Sequence, residues 1–153
     1  MSRRDVIKMT DAEVAAYLDG VHTLNTATLN HDGSIHLVAM WYAMLDGDCV
    51  FWTYNKSQKI LNLQRDDRIT GLVETGDAYE ELRGVELVGR GEVVTEWDEI
   101  AQIGAAVVKR YFGPIDDEQM EPILLQTGAK RYGVRMKIDK VVSWDHSKLG
   151  GTY

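Results

Sequence analysis

The sequence predicts a mainly β, α+β domain: about six antiparallel strands closing into a barrel, with short helices at its ends. Three observations carry that reading. Apolar, Thr-rich runs are separated by tight turn clusters, Asn30-His31-Asp32-Gly33 and Asp46-Gly47-Asp48, and such hairpin connections make neighbouring strands antiparallel. Gly84, Gly89 and Gly91 interrupt a long strand as they would at bulges where a sheet curls. The βαβ alternation of a dinucleotide-binding domain is absent, and Gly89-Arg90-Gly91 lacks both the third glycine and the following helix.

The elements follow in order. Thr10-Asp11-Ala12-Glu13 is a capping-box pattern that opens a short helix carrying Val14, Ala15 and Leu18 and ending near Gly20. Val21 to Leu29 reads as a strand, and Ser34 to Leu45 as one long strand. Cys49 to Tyr54 is a third. Ser57 to Gln64 breaks the pattern with a short amphipathic helix on Ile60, Leu61 and Leu63. Ile69 to Val73 and the Gly-broken run Leu82 to Val94 return to strand. Ile100, Ile103, Val107 and Tyr111 share one face of a helix over Asp98 to Phe112, which Gly113-Pro114 stops. A shorter helix covers Glu118 to Gln126. Tyr132, Val134, Met136 and Ile138 then alternate with polar residues or glycine, as in a half-buried strand. The tail from Val141 to Tyr153 has no strong period.

Nothing divides the 153 residues into two units, so a single domain spanning 1–153 is expected. With 44% apolar and 27% charged residues the composition is that of an ordinary globular protein. The net charge of −7, from 17 Lys+Arg against 24 Asp+Glu, argues against a nucleic-acid surface. One cysteine, Cys49, allows no intrachain disulfide, fits a reducing cytoplasm, and reads as a small core residue. The longest apolar run, Leu37 to Leu45, is far too short to span a membrane, and no secretory signal is visible. His22, His31, His36 and His146 are not at metal-ligand spacing, so no metal site is expected.

The charge is unevenly spread. Residues 66–99 hold eleven acids and three bases, a local balance of −8. Residues 49–65 hold no acid and carry Lys56, Lys59 and Arg65. This second stretch contains the strand-to-helix junction Thr53-Tyr54-Asn55-Lys56-Ser57-Gln58-Lys59. A helix N-terminus presents unpaired N–H groups and partial positive charge, and Ser57 and Lys59 add a hydroxyl and a cation, so a phosphate would be a natural guest. The plainer alternative is a capped helix with solvated lysines. A second acid-free stretch, Pro122 to Ile138, places Arg131, Arg135 and Lys137 on one strand face. A solvated outer face is the preferred reading there, and a basic groove for an extended anionic tail the alternative.

Taken together, His36-Leu37-Val38-Ala39-Met40-Trp41-Tyr42, Phe51-Trp52-Thr53, Ser57-Gln58-Lys59-Ile60-Leu61-Asn62-Leu63 and Arg65-Asp66-Asp67-Arg68 resemble the pyridoxamine 5′-phosphate oxidase-like split β-barrel superfamily over residues 10–140. The segments Tyr79 to Gly84 and Ser143 to Gly150 look more like its actinobacterial flavin/deazaflavin oxidoreductases. The resemblance implies a six-stranded antiparallel split β-barrel and a homodimer with cofactor sites at the subunit interface. Ser57 and Lys59 would hold a cofactor phosphate, with Thr53 at the end of the strand beneath it. His36, Val38 and Met40 would line the ring system. Lys56, Gln58, Asn62 and Trp144 complete the expected cofactor-binding set. His36 stands where pyridoxamine phosphate oxidases carry a phosphate-binding arginine, so that reaction itself is not implied.

A flavin or deazaflavin carries hydride chemistry in its own ring. No catalytic side chain is therefore expected, and Asp66-Asp67 reads as a solvated turn. Coenzyme F420 has an oligoglutamate tail that benefits from further cations, and Lys56 with the Arg135/Lys137 face could supply them. The expected activity is an F420-dependent reductase acting on an electron-poor double bond, quinone or related small acceptor. The alternatives are an FMN-dependent oxidoreductase and a non-catalytic flavin- or haem-binding barrel. Trp144 would cover the ring or seal the dimer, and Lys148 would contact a neighbouring cofactor tail or nothing.

Overall fold

Local signals start and stop most elements of the computed structural model, which describes residues 1–20 and 22–151. Val21, the expected first residue of a strand, and Thr152 and Tyr153 of the tail lie outside the described residues. A short helix, α1 (Arg3–Ile7), opens the chain under a capping box of Ser2 with Asp5, an element not expected from the sequence. Thr10 caps helix α2 (Asp11–Leu18) as expected: its hydroxyl accepts from the Glu13 amide and the Glu13 carboxylate accepts from the Thr10 amide. Tyr17 and Leu18 turn inward, whereas Ala15 is exposed.

Seven strands form one antiparallel sheet: β1 (Leu24–Leu29), β2 (Ile35–Met40), β3 (Ala43–Leu45), β4 (Asp48–Tyr54), β5 (Arg68–Thr75), β6 (Arg83–Val94) and β7 (Arg131–Asp145). Their order is β2-β1-β5-β6-β7-β4-β3. The expected six strands and closed barrel are corrected in one place. The run Ser34 to Leu45 is two strands, with Trp41 and Tyr42 between them. β2 pairs with β1 and β3 pairs with β4, so one step of chain passes between opposite edges of an open sheet. Tertiary contacts hold that step. The fully buried Tyr42 donates its hydroxyl to the Leu18 carbonyl at 2.9 Å, and its amide donates to the Tyr111 hydroxyl at 3.2 Å. Trp41 stacks on Tyr111, ring centroids 4.4 Å apart. A continuous apolar run gives no local sign of such a break.

The turns behave as their residues require. Asp46 and Gly47 both take positive φ, the conformation of a tight two-residue hairpin turn. The β6–β7 register shifts between Val88 and Gly89, where a side chain on Gly89 would collide with the Lys137 carbonyl. That bulge bends the two longest strands.

Two cores result. Leu24, Tyr42, Phe51, Leu87, Val134 and Met136 pack inside the curled sheet with Ile60 of α3 (Gln58–Arg65). On its other side, Val50, Trp52 and Val94 meet Ile100, Ile103 and Val107 of α4 (Trp97–Phe112) and Met120 of α5 (Asp117–Gly128). β4 is therefore buried on both faces. So is β7 from Gly133 to Met136, and the expected half-buried alternation does not hold there. The strand also runs on to Asp145, through a segment whose sequence has no strong period. Among the described residues no helix is long and apolar enough to cross a membrane.

Candidate functional site

The end of β4 and the start of α3 form a corner. The chain turns there through a bond from the Ser57 amide to the Tyr54 carbonyl, 2.9 Å. Ser57 is the N-cap residue, yet its hydroxyl makes no capping bond, and its Oγ is buried with no hydrogen-bond partner. The amides of Gln58 and Lys59, in the first turn, have no intrahelical acceptor. Lys59 is only 7% exposed. Its Nζ donates to Thr53 Oγ1 at 3.2 Å and meets no carboxylate among the described residues. Burial pushes the pKa of this ammonium down. A buried cation with a neutral partner, an orphaned hydroxyl and two open amides share one chemical need, an anion.

Asn62 fixes the corner to the sheet. It is fully buried, and its Nδ2 donates to Thr28 Oγ1 and Asn30 Oδ1, both at 3.0 Å. Its Oδ1 accepts from Gln58 Nε2 at 2.8 Å. Within the chain the Asn62 amide is engaged at both ends, so it ties Gln58, Thr28 and Asn30 together at the corner. His36 is the register partner of Thr28. His36, Val38 and Met40 are the partly buried positions of β2, and Ile35, Leu37 and Ala39 the exposed ones. Lys56 is exposed, and no ion pair engages it among the described residues.

Trp144 is not brought to this corner within one chain. It lines a shallow cavity with Ala27, Leu37 and Leu72 on the outward face of the sheet, away from His36, Val38 and Met40. It also sits at the far end of β7 from Tyr132, the register partner of Thr53.

The Arg135/Lys137 face is neither a free basic groove nor the fully solvated face preferred from the sequence, since Arg135 is only 8% exposed. Arg135 Nη1 lies 3.2 Å from Asp48 Oδ2 and its Nη2 3.1 Å from Glu99 Oε1, while Lys137 Nζ lies 2.7 Å from the same Asp48 oxygen. Glu99 comes from the acidic 66–99 segment, so that segment does not stay clear of this strand face. Arg65 is spent on the Leu29 carbonyl. Lys148 pairs with Glu13 at 2.7 Å, and this contact, together with the Thr10 amide, lowers the Glu13 carboxyl to about 2. Asp66 and Asp67 pair with Arg68 and Arg90. Burial pushes the Cys49 thiol up to about 12, as befits a core residue.

Lys130, not among the expected site residues, meets the corner through its backbone, and its side chain is exposed. The Asn55 amide donates to its carbonyl at 2.9 Å, which sets it beside the Lys56 turn with no acid paired to it among the described residues. Its one signal in the sequence is its place in the second acid-free stretch.

An open antiparallel sheet whose two edges are bridged by one short step of chain is a split barrel of the α+β class. The chain belongs to the pyridoxamine 5′-phosphate oxidase family, whose sequence profile matches residues 10–144. It is similar over its whole length to the conserved hypothetical protein Rv2991 from Mycobacterium tuberculosis, at 42% identity and a TM-score of 0.93, with 95% of that chain covered. A structure described as an F420 reductase matches 82% of the chain and 93% of its own, at 22% identity and a TM-score of 0.62. The haem storage protein HutZ from Vibrio cholerae matches 90% of the chain and 97% of its own, at 12% identity and a TM-score of 0.69. These last two likenesses concern the fold alone. No protein of curated function matches.

Proposed function

We propose that this chain is a coenzyme F420-dependent oxidoreductase that passes a hydride to a small organic acceptor such as an electron-poor double bond or a quinone. The observation that carries the reading is Lys59, buried without a carboxylate beside the unpartnered Ser57 hydroxyl. Ser57, Lys59 and the first amides of α3 hold the cofactor phosphate, over the end of β4 at Thr53. His36, Val38 and Met40 wall the ring. Gln58, held by Asn62, borders the phosphate. Lys56 and Lys130 take the place of Arg135 and Lys137 as cations for an acidic tail. When bound, the deazaflavin supplies the hydride from its own ring. The protein orients it and excludes water, and no side chain is needed as acid or base.

The functional unit in this proposal is a homodimer. The exposed apolar face of β2, with Ile35 68% and Leu37 67% exposed, supports that reading. A partner seated on this face would bring Trp144 toward a cofactor site or seal it into the interface. FMN is the second reading, because the pairing of Arg135 and Lys137 with Asp48 and Glu99 leaves fewer cations for a long acidic tail.

Titration of the purified chain with F420 and with FMN, followed by tryptophan quenching, tests the proposal. Tighter binding of F420, and hydride transfer to at least one acceptor, are expected. A clear preference for FMN overturns the cofactor choice. Binding without turnover across a panel of enones and quinones overturns the activity.

A further inference from the structure

We infer that the cavity between the end of β2, β4 and helices α4 and α5 is a binding site for a planar aromatic monocarboxylate. The cavity measures about 620 Å³, the size of a small-molecule pocket. Its walls are almost wholly apolar, with Met40, Trp41, Trp52, Phe112 and Ile123 among them. Arg131 is the single charged side chain that lines it among the described residues.

That arginine is pre-set. Its guanidinium lies over the Trp52 ring, 5.1 Å from the centroid, and its Nε donates to the Thr127 carbonyl at 3.1 Å. The terminal nitrogens meet no carboxylate among the described residues, which leaves one edge of the fork open. A guanidinium fixed through Nε and one ring face matches a carboxylate with two parallel donors. The contrast with Arg135 is direct, since two acids of the chain consume that guanidinium.

The walls select a flat body for the acid. Trp41 is held parallel to Tyr111, with 8° between the ring planes, and edge-on to Phe112. Trp52 is lodged against Gly104, where a side chain would strike its ring, and lies close to Gly128. Rigid aromatic faces favour a rigid aromatic guest, which gives up little conformational entropy on binding. Neither Ser57 nor Lys59 lines this cavity, but Met40, which also walls the proposed ring site, does, so the cavity adjoins that site without including the phosphate corner.

Calorimetric titration of the full chain with 2-naphthoate and its neutral isostere 2-naphthamide tests the inference. The acid is expected to bind about tenfold tighter than the amide. R131Q should bind both compounds alike, with the acid losing that factor. I123W, which fills the cavity, should bind neither. Equal affinity for acid and amide in the unmodified chain, an acid preference retained in R131Q, undiminished binding in I123W, or no binding of naphthoate at all overturns the assignment.

Discussion

Lys59 and Arg135 are buried to the same degree, 7% and 8% exposed, and their surroundings differ completely. Arg135 lies between Asp48 and Glu99. Burial alone would lower its pKa, but bonds to the two carboxylates outweigh that and hold it above the ordinary value. Lys59 has one neutral hydroxyl, and burial lowers its pKa unopposed. A buried cation whose counter-charge is built into the chain is part of the fold. A buried cation without one is held at a cost in stability, and a ligand anion removes that cost.

The contrast can be broken from either side. Arg135→Met should have the largest effect, a loss of about 3 kcal/mol in urea unfolding, because Glu99 loses its partner and Asp48 keeps only Lys137. A loss below about 1 kcal/mol would mean that Arg135 is as weakly coupled as a surface pair. Asn62→Leu should cost about 2 kcal/mol, since Thr28 and Gln58 lose their partner, and it should also weaken phosphate-bearing cofactors. Unchanged cofactor affinity would reduce Asn62 to a purely structural role.

Lys59→Met should act in the opposite sense to Arg135→Met. The cofactor-free chain should gain on the order of 1 kcal/mol, while affinity for F420, FMN or inorganic phosphate falls by about tenfold or more. The pH dependence sharpens the point. A lysine whose folded pKa lies below its unfolded value near 10.5 binds fewer protons in the folded state, so stability rises with pH through that interval. The difference between the unmodified chain and Lys59→Met should shrink as pH climbs toward 10.5. A difference that is flat with pH would mean that the ammonium is not desolvated. The smallest effect belongs to Lys56→Ala and Lys130→Ala, each expected to weaken a multiply charged cofactor by under about 1 kcal/mol and to flatten its salt dependence. FMN binding should change less than F420 binding in both variants.

Much of the corner is legible in the sequence. The junction from Thr53 to Lys59, the α3 helix, and the absence of acids over residues 49–65 are all local features. Their reading as an anion site needs only the chemistry of a helix N-terminus. The second acid-free stretch misleads, because Arg135 and Lys137 are neutralised by Asp48, whose strand pairs with theirs only in the folded sheet. Lys130 is hidden for the converse reason: its place beside Asn55 is a contact between distant segments.

The sequence by itself determined the features that act over a few residues. The capping box at Thr10, the positive-φ turn at Asp46-Gly47 and the stop at Gly113 follow from side chains and backbone freedom at adjacent positions. Tertiary structure alone decided where the strand 34–45 breaks, which strands are buried on both faces, and which of the buried cations is left without an acid. Tyr42 breaks the strand because Leu18 and Tyr111 come to meet it. Lys59 stays unpaired because, among the described residues, no acidic side chain folds over it. Both outcomes depend on partners far away in the chain, and neither local propensity nor average charge carries that information.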